Sequence, residues 1–248
     1  MSQKNSISVI IIAKNEVARI KECIEHVAWA DEIIVVDNGS TDETVEIAKK
    51  LNAKIIVHRG TNFSALREEG AKAASGEWLL YIDADELVTR ELQKEIEEKV
   101  QESIVAYYIS RKNYYLGHEW PTKDKMIRLI KKDALISWQG KLHEHPEIQG
   151  NVGDCKEPLI HNTHRTLSEM VEKTNEWSEI EADLRLRANH PHVVWWRFIR
   201  VMVSAFWRSY VQEGGWKAGI TGWVESMYQA FSMFITYAKL WERQQKKS

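Results

Sequence analysis

The chain has 248 residues, 44% of them hydrophobic and 28% charged, a globular composition long enough for one α/β domain with a helical appendage. Its net charge of −2 argues against a general nucleic-acid binder. Cys23 and Cys155 are its two cysteines, and two reduced thiols in a cytosolic protein are expected rather than a disulfide or a metal site.

Ile7-Ser8-Val9-Ile10-Ile11-Ile12-Ala13 is short, apolar and β-branched, the pattern of a strand buried on both faces. As an N-terminal apolar run it is too short for a signal peptide, and it lacks a cleavage site. Lys14-Asn15-Glu16 follow at once and open a helical pattern that runs through Trp29. Glu32-Ile33-Ile34-Val35-Val36 is a second buried strand, ending in Asp37-Asn38-Gly39-Ser40-Thr41-Asp42-Glu43-Thr44, where Gly39 permits a tight turn. Thr41 is expected to cap a helix that begins near Asp42, with Thr44 standing where a complete capping box would have Glu. Lys54-Ile55-Ile56-Val57-His58 makes a third strand, Asn62 to Ser75 a helix, and Trp78-Leu79-Leu80 leads a fourth strand into Tyr81-Ile82-Asp83-Ala84-Asp85-Glu86. Strands that alternate with helices predict a doubly wound, mostly parallel sheet.

Several of these strands end in polar clusters, and open α/β sheets hold ligands at the carboxyl ends of their strands. Asp83 and Asp85, two apart at such an end, can face one hard cation and its waters. Mg²⁺ commonly takes one or two carboxylates together with substrate phosphates, so the pair suits a nucleotide diphosphate handled through a metal. The triplet alone is weak, because Asp-x-Asp is frequent in solvated loops; its place after a buried strand is what gives it weight. There is no Gly-x-x-x-x-Gly-Lys loop to support an ATPase, and no Ser or Cys in a recognisable nucleophile setting.

The C-terminal part differs in character. From His190 onward there are eight Lys and Arg against three Asp and Glu, a local +5, and six of the eleven Trp: Trp195, Trp196, Trp207, Trp216, Trp223 and Trp241. Projected as a helix, Val193 to Gln212 puts Arg197, Arg200, Ser204, Arg208 and Gln212 on one side and Trp195, Ile199, Met202, Phe206 and Tyr210 on the other. That is the pattern of a helix lying in a membrane interface, and its arginines interrupt the apolar run too often for a spanning helix. Glu225, Gln229, Thr236 and Lys239 make the next helix amphipathic too, which predicts a hairpin joined around Gly214-Gly215 and Gly219. A helical layer docked on the catalytic domain, or a homodimer face, would give the same periodicity.

Ser8 to Glu16, Val35-Val36-Asp37-Asn38-Gly39-Ser40-Thr41-Asp42 and Asp83-Ala84-Asp85-Glu86 together resemble family 2 glycosyltransferases of the GT-A fold, over roughly residues 5 to 150. Gly140-Lys141-Leu142-His143-Glu144-His145-Pro146, and less specifically Gly214-Gly215-Trp216 to Leu240-Trp241-Glu242, are similar to the bacterial branch that includes lipopolysaccharide core β-1,4-glucosyltransferases. The resemblance implies a GT-A nucleotide-sugar-binding catalytic domain over residues 1–165 and a helical region over 166–248. It implies a UDP-sugar donor contacted by Ala13, Asn15, Glu16, Asp37, Arg67, Asp83, Ala84 and Asp85, with Asp37 on the base or ribose. Asp85 would be the direct ligand of Mg²⁺ or Mn²⁺, and Asp83 would contact the ribose or a metal-bound water.

An inverting transferase needs a base on the acceptor side, because the acceptor hydroxyl loses its proton as the new bond forms. The family places that base where Glu144 stands, and His143 or His145 would complete the metal shell or orient Glu144. His161 and His164 would line the acceptor site or cap the helix starting near Thr166. The Gln-x-x-Arg-Trp motif of processive family 2 synthases is missing, which favours addition of a single sugar. The acceptor implied is a glycan or lipid-linked molecule, and the setting is cytoplasmic, peripheral on the inner face of the cytoplasmic membrane and held to anionic lipid by the C-terminal helices. A catalytically inactive GT-A-like scaffold and a sugar nucleotidyltransferase stay open as alternatives.

Overall fold

The computed structural model describes residues 5–60, 62–140, 144–164 and 166–247. Strands β1 (Ile7–Ala13), β2 (Glu32–Asp37), β3 (Lys54–Val57) and β4 (Trp78–Asp83) alternate with helices α1 (Ile20–Glu25), α2 (Thr44–Lys50) and α3 (Phe63–Ala73). β5 (Glu86–Leu87), α4 (Arg90–Lys99), β6 (Ala106–Tyr115), β7 (His118–Glu119) and β8 (Asp124–Lys131) follow. Then come β9 (Leu135–Gln139), β10 (His145–Ile148), β11 (Val152–Asp154) and β12 (Leu159–His164), and finally α5 (Leu167–Arg187), α6 (Trp195–Trp207) and α7 (Gly219–Lys247). The chain forms two compact units, one from the residues up to Lys112 with Asp124–His161, the other from Asn113–Lys123 with the chain from Asn162 onward.

In the first unit β1 is central and pairs in parallel with β2 on one side and β4 on the other, and β3 extends the parallel part beyond β2. β8 then joins β4 antiparallel, and β6 joins β8 antiparallel. The sheet is thus parallel where the sequence alternates strand with helix and mostly antiparallel beyond it, although β11 pairs with β6 in parallel, and β9 and β10 form a separate hairpin. Side chains of β1 divide by the two-residue period of a strand. Val9 and Ile11 enter one core with α1 and α4, while Ile10 and Ile12 enter the other with Leu66 of α3. Both faces are covered, which is why β1 reads as a continuous apolar run. Gly70 lets α3 close on the sheet, since a Cβ there would stand 2.4 Å from Ile10 Cγ2.

Two predicted helices are corrected. The pattern opened by Lys14-Asn15-Glu16 and read through Trp29 yields only Ile20–Glu25 as helix. Asn15 adopts a left-handed backbone (φ 55°), and the amides of Glu16 and Val17 bond to the side chains of Thr44 and Asp42, so the chain turns before it winds. The second helix starts at Thr44 rather than near Asp42. Asp42, not Thr41, satisfies its entry, accepting from the Thr44 amide at 3.0 Å. The helix expected from Asn62 is present as α3, and α5 starts after Thr166, whose hydroxyl accepts from the Glu169 amide.

The second unit is mainly helical. α6 runs into a π-turn at Arg208–Gln212, and a 3₁₀ turn at Gly215–Ala218 leads to α7, the hairpin that the sequence predicts. α5 and α7 are joined by Lys239–Glu179 at 2.7 Å and Arg243–Asp183 at 2.7 Å, and by the Tyr228 hydroxyl bound to Thr174 and to the Met170 carbonyl. Among the described residues no helix is long and apolar enough to cross a membrane.

Candidate functional site

The carboxyl ends of β1, β2 and β4 lie side by side on one sheet edge, Ala13 opposite Asp37 and Ile12 opposite Asp83. Buried Asp37 turns its carboxylate back on its own loop and accepts from the amides of Gly39 (3.2 Å) and Ser40 (3.0 Å), while Gly39 takes the positive φ of +80° that this turn requires. Asn15 stitches the β1 and β2 exits together. Its amide donates to Ser40 Oγ at 2.9 Å, and its Oδ1 accepts from the Thr41 amide at 2.8 Å. Glu16 is ion-paired with Arg19 at 2.7 Å, and its amide donates to Thr44 Oγ1. Ala13 and Ala84 are buried, so contacts from them to a ligand would come from the backbone. Beside these turns lies a concavity of ≈ 380 Å³ lined by Lys14, Asn38, Gly39, Thr41, Arg59 and Gly60. A larger one of ≈ 440 Å³ involves Asp31, Glu32 and Lys54 at the opposite ends of the strands, away from this chemistry.

A network of buried charge anchors the end of β4. The Arg128 Nη2 of β8 donates to Asp83 Oδ2 at 2.7 Å and to Glu86 Oε1 at 2.7 Å. Glu86 is fully buried; its Oε2 accepts from the Asp83 amide, closing the Asp83–Glu86 turn, and Arg111 reaches its Oε1 at 3.2 Å. Arg111 is in turn held by Asp124. Burial alone would raise the Asp83 pKa, but Arg128 and Arg67 outweigh it and hold this carboxyl well below the usual range. Burial pushes Glu86 the other way, up, against the pull of Arg128.

Arg67 of α3 connects this network to the predicted base. Its Nη2 donates to Asp83 Oδ1 at 3.1 Å and to Glu144 Oε1 at 2.7 Å, and its Nε donates to the same Glu144 oxygen at 2.9 Å. The guanidinium lies 5.1 Å from the Trp138 ring and 5.8 Å from Tyr81, so it is desolvated on an aromatic wall. Its Nη1 is buried with no hydrogen-bond partner among the described residues. β9 is fixed to α3 by the Trp138 amide on Glu68 and by Ser64 on the Gly140 carbonyl, and this brings the chain back towards Arg67.

Asp85 faces His161 of β12, with Oδ1 and Nε2 3.5 Å apart and both side chains close to buried. His161 is thus placed in strand pairing with Glu86 rather than as a helix cap. One carboxylate on the β4–β5 turn and one imidazole on β12 suit Mn²⁺, and a carboxylate set with water and phosphate suits Mg²⁺. Among the described residues no three His, Cys, Asp or Glu side chains are already grouped as a cage. Mg²⁺ sites are commonly filled out by substrate and water, so two protein donors are an adequate start.

The structure therefore brings Arg67, Asp83 and Glu144 into direct contact, and sets Asn15, Asp37 and Asp85 on the same sheet edge. His145 stands exposed at the start of β10, paired with Gln139, and His143 and the side chain of His164 lie outside the described residues. Arg128, Arg111 and Glu86 carry this site, yet sequence reasoning did not single them out. A signal for Arg128 existed: it interrupts the apolar strand Met126-Ile127-Arg128-Leu129-Ile130, and a charge in such a run calls for a buried partner.

Residues 8–156 match the family model described as Glycosyl transferase family 2. The "Lipopolysaccharide core biosynthesis glycosyltransferase LpsC" of Rhizobium meliloti is 28% identical, over 100% of this chain and 96% of its own. An uncharacterised glycosyltransferase of Rickettsia bellii is 31% identical, over 95% of this chain and 86% of its own. Solved structures with weaker likeness include S. aureus TarS 1-349 in complex with UDP-GlcNAc, at 14% identity and a TM-score of 0.48, covering 98% of this chain and 92% of that one. Glucosyl-3-phosphoglycerate synthase from Mycobacterium tuberculosis in complex with Mn²⁺, UDP and glucosyl-3-phosphoglycerate has 19% identity and a TM-score of 0.45, covering 75% and 81%. The family model spans more than half of the chain, and the Rickettsia relative matches nearly all of it: this protein belongs to glycosyltransferase family 2.

Proposed function

We propose that the chain moves one sugar, glucose or a related hexose, with inversion at the anomeric carbon, from a UDP-sugar to a hydroxyl of a membrane-associated glycan such as lipopolysaccharide core. The observation that carries this reading is Arg67, one guanidinium bound both to Asp83 at the donor edge and to Glu144 on the predicted acceptor side. Resemblance to a lipopolysaccharide core transferase along the whole chain supports the acceptor class.

In this reading the Asn15 and Asp37 turns receive the nucleoside, and Asp83 and Asp85 meet the ribose and diphosphate. Asp85, with Asp83 near it in sequence and His161 facing it, would hold Mg²⁺ or Mn²⁺. When bound, the ion neutralises the charge that develops on the departing diphosphate. His143 or His145, which flank Glu144 in sequence, would complete the metal shell or orient Glu144. The acceptor oxygen attacks the anomeric carbon while the bond from that carbon to the diphosphate oxygen breaks. The hydroxyl proton passes to Glu144, the electrons of the broken bond leave with UDP, and one displacement inverts the centre. Arg67 fixes Glu144 through one oxygen and leaves Oε2 to take the proton.

Residues 1–165 act as the catalytic part and 166–248 as the helical part, and an acceptor of this kind sets the enzyme at the inner face of the cytoplasmic membrane. A panel of UDP-sugars with Mg²⁺ or Mn²⁺, read by UDP release, tests the reaction. UDP release from at least one donor without pyrophosphate is expected. Pyrophosphate formed from UTP and a sugar phosphate would point to nucleotidyl transfer instead. Donor binding with no turnover on any acceptor would point to a binding protein.

A further inference from the structure

α7 carries a second, outward apolar stripe. Several of its polar positions face inward beside Tyr237 and Leu240: Glu225, Ser226, Thr236 and Gln244 are buried, and Lys239 is ion-paired with α5. Its apolar stripe, Ile220, Trp223, Met227, Phe231, Phe234 and Trp241, recurs every three or four residues or a heptad apart and lies exposed, Ile220 at 81%. At 1.5 Å per residue that stripe is about 30 Å long. α6 has a second apolar face of the same kind. Val201 and Phe198 pack inward with Tyr237 and Leu240, while Trp195, Ile199, Val203 and Trp207 point out, Trp195 at 75% exposure.

The two outward faces are one surface. Trp223 packs edge-on against Phe206 at 5.2 Å and Tyr210 at 5.6 Å, and Phe234 meets Phe198 at 5.6 Å, so aromatic rings fill the seam between the helices. Cations border it. Arg197 and Arg200 lie over the Trp196 ring at 5.3 and 5.6 Å, Lys217 lies over Trp216 at 5.4 Å, and Arg208, 75% exposed, is paired with Glu213 at 3.3 Å. No acid occurs between Val193 and Gln212, Glu225 is buried, and Glu213 and Glu242 are paired with Arg208 and Lys246. A broad aromatic face exceeds what a soluble surface ordinarily leaves bare, and cations at its rim select what covers it.

We infer that the outward α6–α7 face is a monotopic docking surface for an anionic lipid bilayer: the apolar stripe enters the acyl boundary, and the indoles and rim cations reach the headgroups. This rests on the membrane setting proposed above and corrects the surface expected from sequence. Three of the five residues on the side expected to contact lipid, Met202, Phe206 and Tyr210, are half-buried instead, and α7 supplies the longer stripe.

The test uses the full chain with vesicles of phosphatidylglycerol and phosphatidylcholine, or of phosphatidylcholine alone, in co-sedimentation at low and high salt. Wild type should sediment with the anionic vesicles, retain a salt-resistant fraction and bind the neutral ones far less. Arg200→Gln, Arg208→Gln and Lys217→Gln together should weaken partition on the order of 10²-fold, since each basic residue near an anionic surface adds about fivefold. Val203→Ser, Trp207→Ser and Phe231→Ser together should abolish the salt-resistant fraction. All six residues are exposed and outside the transfer machinery, so near-UV circular dichroism and UDP release should match wild type. No sedimentation by folded wild type, or unchanged binding by the apolar variant, would overturn the proposal. So would equal binding to neutral vesicles, or a dimer that the apolar variant dissociates without any vesicle binding, which would assign the face to a second copy. Vesicle binding without UDP release on any donor would instead sink the transferase reading and leave this one standing.

Discussion

Replacing Arg128 with Met tests the charge network that holds the Asp83–Glu86 turn. One Arg128 nitrogen bridges Asp83 and Glu86 at 2.7 Å each, and Glu86 has no exposure to water. Removing one partner of a buried ion pair commonly costs about 3–5 kcal/mol, because the other charge stays behind uncompensated. Arg111 still reaches Glu86 at 3.2 Å and Arg67 still reaches Asp83 at 3.1 Å, so the lower end, about 3 kcal/mol, is expected. For a chain of this size that lowers Tm by roughly 6–12 °C. Adding Glu86→Gln to Arg128→Met should recover part of the loss, with a coupling of about 1–3 kcal/mol, since the stranded carboxylate is gone. Urea titration gives the free energies, and hydrogen exchange of β4 and β8 amides reports the sheet unit by itself, since a chain with two units need not unfold in one step. A Tm change below about 2 °C for Arg128→Met, or strictly additive costs in the double variant, would show that the bridge is not what holds the turn.

Glu144→Gln should lower turnover on the order of 10²–10⁴-fold with UDP-sugar affinity nearly unchanged; a parallel collapse of affinity, read by calorimetry, would move Glu144 to the donor side. Asp85→Ala and His161→Ala should each weaken Mn²⁺ binding measured by electron paramagnetic resonance in the presence of UDP, and Asp85→Ala should abolish turnover with the far-UV spectrum intact; full activity of Asp85→Ala in excess EDTA would remove the metal assignment. The Asp83 pKa is depressed on folding, so its ion pairs stabilise the fold above the unfolded value of about 3.9 and lose that contribution as pH falls below it. The stability gap between wild type and Asp83→Asn should therefore be constant from about pH 7 to 5 and shrink towards pH 3, and a gap that widens on acidification would contradict the pairing.

Much of the fold was legible because it is written in local periods. β1 and β2 are apolar runs that only a strand covered on both faces tolerates, and Asp37 and Asp83 close two such runs, so their place at one sheet edge follows from the alternation. The site's assembly was not local. Arg67, Asp83 and Glu144 are separated by 16 and 77 residues along the chain, and only the approach of α3 to the sheet at Gly70 and the anchoring of β9 on that helix put one guanidinium between two carboxylates. Arg128 stayed unassigned because its partners come from another strand, and a single buried charge in a sequence does not name the acid that neutralises it. The C-terminal helices show the same limit. The sequence established that α7 is amphipathic, but periodicity has no sign: which stripe faces inward depends on what lies across from it. Glu179 and Asp183 of α5 take Lys239 and Arg243, and so an apolar stripe is left facing out.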